Sequence, residues 1–186
     1  MSIYIAIAIL LHVPYVQQQL GQTVANAVGK KIGTKVTVGR VDLGMLNRII
    51  IDDVTILDQK GKTMMLSARI AAKIDVAALA KGRIVVNSAQ LFSPRLTLYQ
   101  TSAEAKPNFQ FVLDSLASKD TTSHKPLDIA VGSFIMRHAD IHYDRYDKAP
   151  TKGKLDINHL AVSDFNLYAA LPQLTDNTLE LAVREL

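Results

Sequence analysis

The chain has no cysteine and no tryptophan, and only 6% of its 186 residues are aromatic. Without cysteine there is no disulfide framework, no thiolate nucleophile and no zinc site built on sulfur. The basic residues are scattered and no aromatic-interleaved basic motif appears, so nucleic acid is not expected as a partner. No stretch has the length of a membrane span. Residues 3–13 are apolar except for Tyr4 and His12. As a helix they would reach about 16 Å, against roughly 30 Å of bilayer hydrocarbon. They also lack the basic start and small-residue cleavage site of a signal peptide. Ile3, Ile5, Ile7, Ile9, Leu10 and Leu11 therefore read as the C-terminal part of a membrane anchor covering 1–13. The competing reading is an ordinary buried segment.

Catalytic patterns are also missing. Gly29-Lys-Lys-Ile-Gly33-Thr34-Lys35 has three residues between its glycines where a phosphate loop needs four. Gly132-Ser133 lacks the flanks of a nucleophile elbow. His138, Asp140 and His142 alternate with Ala139, Ile141 and Tyr143, which puts them on one face of a strand. Their spacing, about 6.7 Å per two residues, is wide for a single ion. They read as a solvated face, and no metal, cofactor or enzymatic activity is expected.

What is present is a folding composition, 48% apolar and 20% charged. Residues 1–126 hold 15 Lys and Arg against 8 Asp and Glu, whereas 127–186 hold 6 against 9. A basic portion beside an apolar start suits an anionic lipid surface; the alternative is a soluble, evenly charged surface.

One spacing organises the middle of the chain. In Ile49-Ile-Ile-Asp-Asp-Val-Thr-Ile56 the apolar positions 49, 51, 54 and 56 are separated by 2, 3 and 2. The 3-step is bridged by Asp52 and Asp53. The same steps occur at Val36, Val38, Val41, Leu43; at Ile84, Val86, Ala89, Leu91; at Phe134, Met136, Ala139, Ile141; and at Leu155, Ile157, Leu160, Val162. Strands keep one face apolar across a 3-step only if a residue is bulged out, and bulges bend sheets. Common Val, Ile and Leu also produce short spacings by chance. The spacing predicts bulges near Gly39, Asp52-Asp53 and Asn87-Ser88.

From Pro14, apolar residues recur every four positions at Val16, Leu20, Val24, Val28 and Ile32, which predicts an amphipathic helix closed by Gly33. Strands are expected at 35–43, 48–58 and 64–76, with a turn at Gln59-Lys60-Gly61-Lys62. A helical turn or wide loop is expected over 77–82, then strands at 83–91 and 94–100, broken at Ser93-Pro94. Asn108 is expected to cap a helix carrying Phe109, Val112, Leu113 and Leu116. Residues 119–126 read as a flexible loop. Strands at 127–143, bending at Gly132, and 154–168 follow, and Leu179–Val183 reads as an unfinished strand. In 64–76, Leu66, Ala68, Ile70, Ala72, Ile74 and Val76 alternate with more polar residues. A helical reading through Leu66, Ile70 and Ile74 leaves Ala68, Ala72 and Val76 unexplained. Two helices cover about half the apolar face of eight or nine strands. A curled sheet, another chain or a nonpolar ligand must cover the rest.

The order of these pieces resembles a known family. An apolar anchor leads to Pro14-Tyr-Val-Gln17 and a helix ending Ile32-Gly33. Then come Val36-Thr-Val-Gly39-Arg-Val-Asp-Leu43, the Ile49–Asp58 strand, Leu66-Ser-Ala68, Ile74-Asp75-Val76, Leu79-Ala-Lys-Gly82, Ile84-Val-Val86 and Pro107-Asn108-Phe109. This is similar to the N-terminal region of TamB-like proteins of the AsmA-like family, especially the forms of Bacteroidota. The resemblance covers about 5–118 well and the rest loosely; order and spacing carry it. It implies an inner-membrane anchor, a periplasmic β-groove that carries phospholipid, and a role in outer-membrane biogenesis in a Gram-negative bacterium. It also implies help in outer-membrane protein assembly with a BamA-like partner, through regions this chain lacks. The expected fold is mainly β with α. A strongly curved, mostly antiparallel sheet forms a groove, with an N-terminal amphipathic helix and one further short helix. The expected division is anchor 1–13, helix and groove 14–118, loop 119–126, and continuing groove strands 127–186. Leu66, Ala68, Ile70, Ala72, Ile74 and Val76 are the candidate acyl-chain contacts. The alternative is an interaction scaffold whose open sheet edge takes client strands.

Overall fold

A computed structural model of the chain describes residues 14–44, 47–75, 86–117, 133–170 and 182–183. The four-residue repeat forms helix α1, Pro14–Ile32. Proline suits its first turn, and Lys30 and Lys31 sit where the helix dipole favours cations. Gly33 ends it in the left-handed region, φ 73°, and the Thr34 N–H donates to the Gly29 carbonyl at 3.0 Å. That is the six-to-one bond of a glycine-terminated helix. The buried line of α1 runs through Gly21, Ala25, Gly29 and Ile32, while Val24 and Val28 are half-buried. The packed stripe is thus rotated from the branched residues toward small ones, which lets the helix lie close to the sheet.

All the described strands join one sheet. β1 is Val36–Thr37, β2 Arg40–Gly44, β3 Arg48–Leu57, β4 Thr63–Ile74, β5 Val86–Gln100, β6 Ser133–Arg145, β7 His159–Ala170 and β8 Ala182–Val183. The order is β1-β3-β4-β5-β6-β7-β8, with β2 also on β3. Strand therefore exceeds helix, as expected, and the described sheet does not close on itself. Its pairing is mixed: every ladder is antiparallel except β5–β6, which is parallel. Parallel neighbours need a crossover, and this one includes helix α2, Gln110–Ala117.

The 3-steps are real interruptions. β1 and β2 face β3 in one register, broken at Val38-Gly39. A Cβ on Gly39 would lie 2.9 Å from Asp53 Oδ2 and 3.3 Å from the Asp52 carbonyl, so any other residue there would force Asp53 and the strand beside it to shift. Asp53, Ser93, His138 and Asp164 have φ of 55°, 48°, 53° and 56°. Asp53, Ser93 and His138 fall in gaps of the ladders on both sides, and Asp164 in a gap of its ladder with β6. Asn87 has no β4 partner between Lys73↔Ser88 and Ile74↔Val86, so the bulge expected at Asn87-Ser88 is an inserted residue; at Gly39 and Asp52-Asp53 the ladders keep one register across the gap, so the expected bulges there are interruptions without an extra residue. The gaps at Asp53, Ala68, Ser93 and His138 line up across β3 to β6, and Asp164 continues them into β7.

Several expectations shift. β5 runs unbroken through Ser93-Pro94 because the buried Pro94 sits where the β5–β6 ladder is already interrupted and no N–H is missed. The repeat of β7 is Leu160, Val162, Phe165, Leu167 around Ser163-Asp164, one step later than expected. Leu155 and Ile157 precede the strand and are 84% and 74% exposed. The anchor (1–13), the 77–82 turn, the 119–126 loop and Gly132 lie outside the described residues.

Candidate functional site: the apolar side of the sheet

Cross-strand partners share a face, so the registers define rows. One row is Ile51, Ile70, Leu91, Met136 and Leu167. A second is Ile56, Met65, Leu96, Ile141 and Val162. Between them, at the level of the interruptions, lies a line of mostly small residues: Val54, Ser67, Pro94 and Ala139, none more than 4% exposed. Ser67 is satisfied there by donating to the Arg69 or Phe92 carbonyl, at 3.1 and 3.2 Å. Met65, Leu91 and Met136 of these rows form one apolar cluster with Ala25 and Ile32 of α1, and Ile51, Ile56, Ile70, Leu96, Ile141 and Leu167 pack against it together with Phe111 of α2. Among the described elements α1 packs on β1 and β2, and α2 packs on α1. Farther along, Phe134, Ile141, Phe165 and Leu167 remain only half-buried.

The candidate contacts on β4 are divided by the interruption. Ile70 pairs with Ile51 and Leu91, and Ala72 with Ile49 and Ala89, all on the apolar side. Leu66 is 39% exposed and pairs with Thr55 and Arg95 on the opposite side, and Ala68 is exposed. The alternation of Leu66 to Val76 is thus not one face: the phase changes at Ala68-Arg69, and Met65 and Ser67 are the inward residues of the first half. The Ile74 side chain and Val76 lie outside what the structure describes.

His138 and its neighbours do not assemble a metal site. The His138 Nδ1 lies 2.6 Å from Asp164 Oδ1, and Asp140 Oδ1 accepts from the Asp164 N–H at 3.4 Å. Among the described residues no group of three or more potential ligands gathers.

A second concavity, about 330 Å³, lies among the β3–β4 turn, the end of β5 and α2. The sequence reading missed it. Buried Asp58 accepts from the Lys60 and Lys62 N–H groups through Oδ1 and from Tyr99 Oη at 2.7 Å through Oδ2. Burial pushes the Asp58 carboxyl up, but Tyr99, the two N–H donors and Asn108 outweigh it and hold it below the usual range. Burial first, then Asp58, pushes the Tyr99 phenol up to about 12. Tyr99 also stacks on Tyr146, with Lys60 and Lys62 over its ring. Asn108 does not cap α2: its side chain accepts from the Tyr99 N–H and donates to the Thr97 carbonyl. The Asp58 carboxylate, the Tyr99 hydroxyl and the Asn108 side chain all find partners within the chain, so the cluster reads as a clamp holding the turn to β5.

No helix among the described residues is long and apolar enough to cross a membrane. No family model, characterised protein or solved structure matches the chain.

Proposed function

We propose that the chain acts in outer-membrane biogenesis on the periplasmic side of the inner membrane, binding phospholipid acyl chains along the apolar side of its sheet. The observation that supports this most is the alignment of interruptions across β3 to β7. Left-handed residues at one level in β3, β5, β6 and β7, with the ladder gap at Ala68 in β4 between them, would bend the strands at that level, and such bends add into a crease running across the strands. Val54, Ser67, Pro94 and Ala139, already covered, would lie beneath it, and the half-buried members of the two aliphatic rows would give it its apolar surface. Four inter-strand steps of about 4.8 Å make roughly 19 Å. One leaflet's hydrocarbon is about 15 Å, half the bilayer core, so the crease is long enough for one acyl chain. Each methylene taken from water contributes about 0.8 kcal/mol.

The test is lipid mass spectrometry of the purified chain together with thermal melts. Ile70→Asp should lower co-purifying lipid, whereas Leu66→Asp, on the opposite side of the same strand, should not. A folded Ile70→Asp protein carrying undiminished lipid rejects the reading. An unfolded one favours a closed core, because an unpaired buried charge costs several kcal/mol.

A second reading, capture of client strands, draws on β7. Its described ladder with β8 covers Ala169 and Ala170, and among the described residues the stretch from His159 has no partner on that side. Lysine at Ala161 and Ser163 would abolish client crosslinking and leave lipid content intact; the reverse outcome favours the crease.

A further inference from the structure

The side of the sheet opposite the two aliphatic rows carries a charge pattern that the acyl-chain reading does not use. Beyond the interruptions, toward Arg48, three successive rows lie on this side. The first is Arg40, Asp52, Arg69, Phe92 and Arg137. The second is Asp42, Ile50, Ala71, Gln90, Ile135 and Tyr168. The third holds Arg48 and Lys73, followed by Ser88 and Ser133. The rows hold five basic residues against two acidic ones, and Asp75 lies beyond the third. All five cations are exposed. Arg40 and Arg69 are held over the sheet by Asp52, at 3.2 and 2.7 Å. The middle row is largely apolar, with Ile50, Ala71, Ile135 and Tyr168 half-buried. A stripe of aliphatic side chains and a tyrosine between two cationic rows matches the layering of a lipid interface, where phosphates lie above the first methylenes.

Position supports the same occupant. Gln17, in the first turn of α1, donates to Asp42 of the middle row at 2.7 Å. The first turn of α1 therefore lies at this end of the sheet.

We infer that this face docks on an anionic phospholipid surface, with Arg48, Lys73 and Arg137 contacting headgroup phosphates and the Ile50–Tyr168 row resting on the interface. The docking stands apart from acyl-chain binding, which uses the other side of the sheet. Its loss should leave co-purifying lipid unchanged.

The experiment is vesicle co-sedimentation of the full chain. It compares phosphatidylcholine alone with phosphatidylcholine containing about a third phosphatidylglycerol, in low and high salt. The native chain should prefer the anionic vesicles, and salt should abolish the preference. The triple variant Arg48→Glu, Lys73→Glu, Arg137→Glu should lose about 100-fold of the anionic preference, following the usual contribution of each basic residue near such a surface. It should keep any binding to phosphatidylcholine. The control Lys148→Glu, Lys152→Glu, Lys154→Glu makes the same change of net charge in the exposed turn before β7 and should lose little. If the charge-reversed face does not fold by circular dichroism, the glutamine triple replaces it, with a smaller loss expected. Equal losses in face and control variants, or none in either, overturn the assignment. Binding of single-stranded DNA with the same dependence on Arg48, Lys73 and Arg137 would make the face a general polyanion site and overturn it as well.

Discussion

At the scale of single residues, the Tyr99–Asp58 contact is the strongest polar commitment in the described chain. Both side chains are buried, and the bond joins positions 41 apart in sequence. Tyr99→Phe removes one donor from a buried carboxylate and should destabilise the protein by about 1–3 kcal/mol in chemical denaturation. The pH dependence has a definite sign. Asp58 titrates below its ordinary value when folded, so its stabilisation is present above the unfolded value, about 3.9, and is lost as pH falls through the folded one. Between pH 5 and 3 the melting temperature of native protein should therefore fall more steeply than that of Tyr99→Phe. Parallel curves would show that the hydroxyl does not set the carboxylate's titration. None of this was legible in sequence. Asn108 before an apolar helical pattern looks like a cap, and only the folded chain brings it beside β5, where binding the Tyr99 backbone satisfies more groups than capping α2 would.

The interruptions belong to the scale of the strand. The 2-3-2 spacing located them in β1–β2, β3 and β6 because each places polar residues in the 3-step. In β5 the true repeat, Ala89, Leu91, Pro94, Leu96, hides behind a phenylalanine in its 3-step and a proline that reads as a terminator. In β4 it hides because the buried position is Ser67, so the apolar residues seemed to alternate in one phase. Left-handed conformations are unfavourable for most side chains and worst for β-branched ones. Asp53→Val and His138→Val should each cost about 1–2 kcal/mol, measured as a lower denaturant midpoint. Arg137→Val, one residue away on an ordinary strand position, should cost less than His138→Val. The clash of Gly39 with Asp53 predicts coupling as well. Gly39→Ala should be destabilising alone and less so with Asp53→Gly, giving an interaction energy of about 0.5–3 kcal/mol in a double-mutant cycle. Strict additivity would contradict the 2.9 Å approach.

At the scale of the whole molecule, sequence patterns revealed how many strands to expect and which helix leads them, since both follow from local periodicity. They did not reveal the parallel pairing of β5 with β6, which depends on a crossover that no spacing records. That seam divides the sheet. From β3 to β5 neighbours follow one another through the chain, as do β6 and β7, but Leu91 meets Met136 only after the intervening segment has returned. Closing a long loop before its contacts reward it slows folding. The two meanders should form first and the seam last, so the order of assembly is written into one ladder. A chevron analysis would read it directly. Met65→Ala, inside the β3–β4 hairpin, should slow folding, whereas Met136→Ala, at the seam, should mainly speed unfolding. A chain still emerging from the ribosome would thus hold a finished first meander with the β5 edge open until β6 arrives, and that interval is when the protein is most exposed to mispairing with another copy.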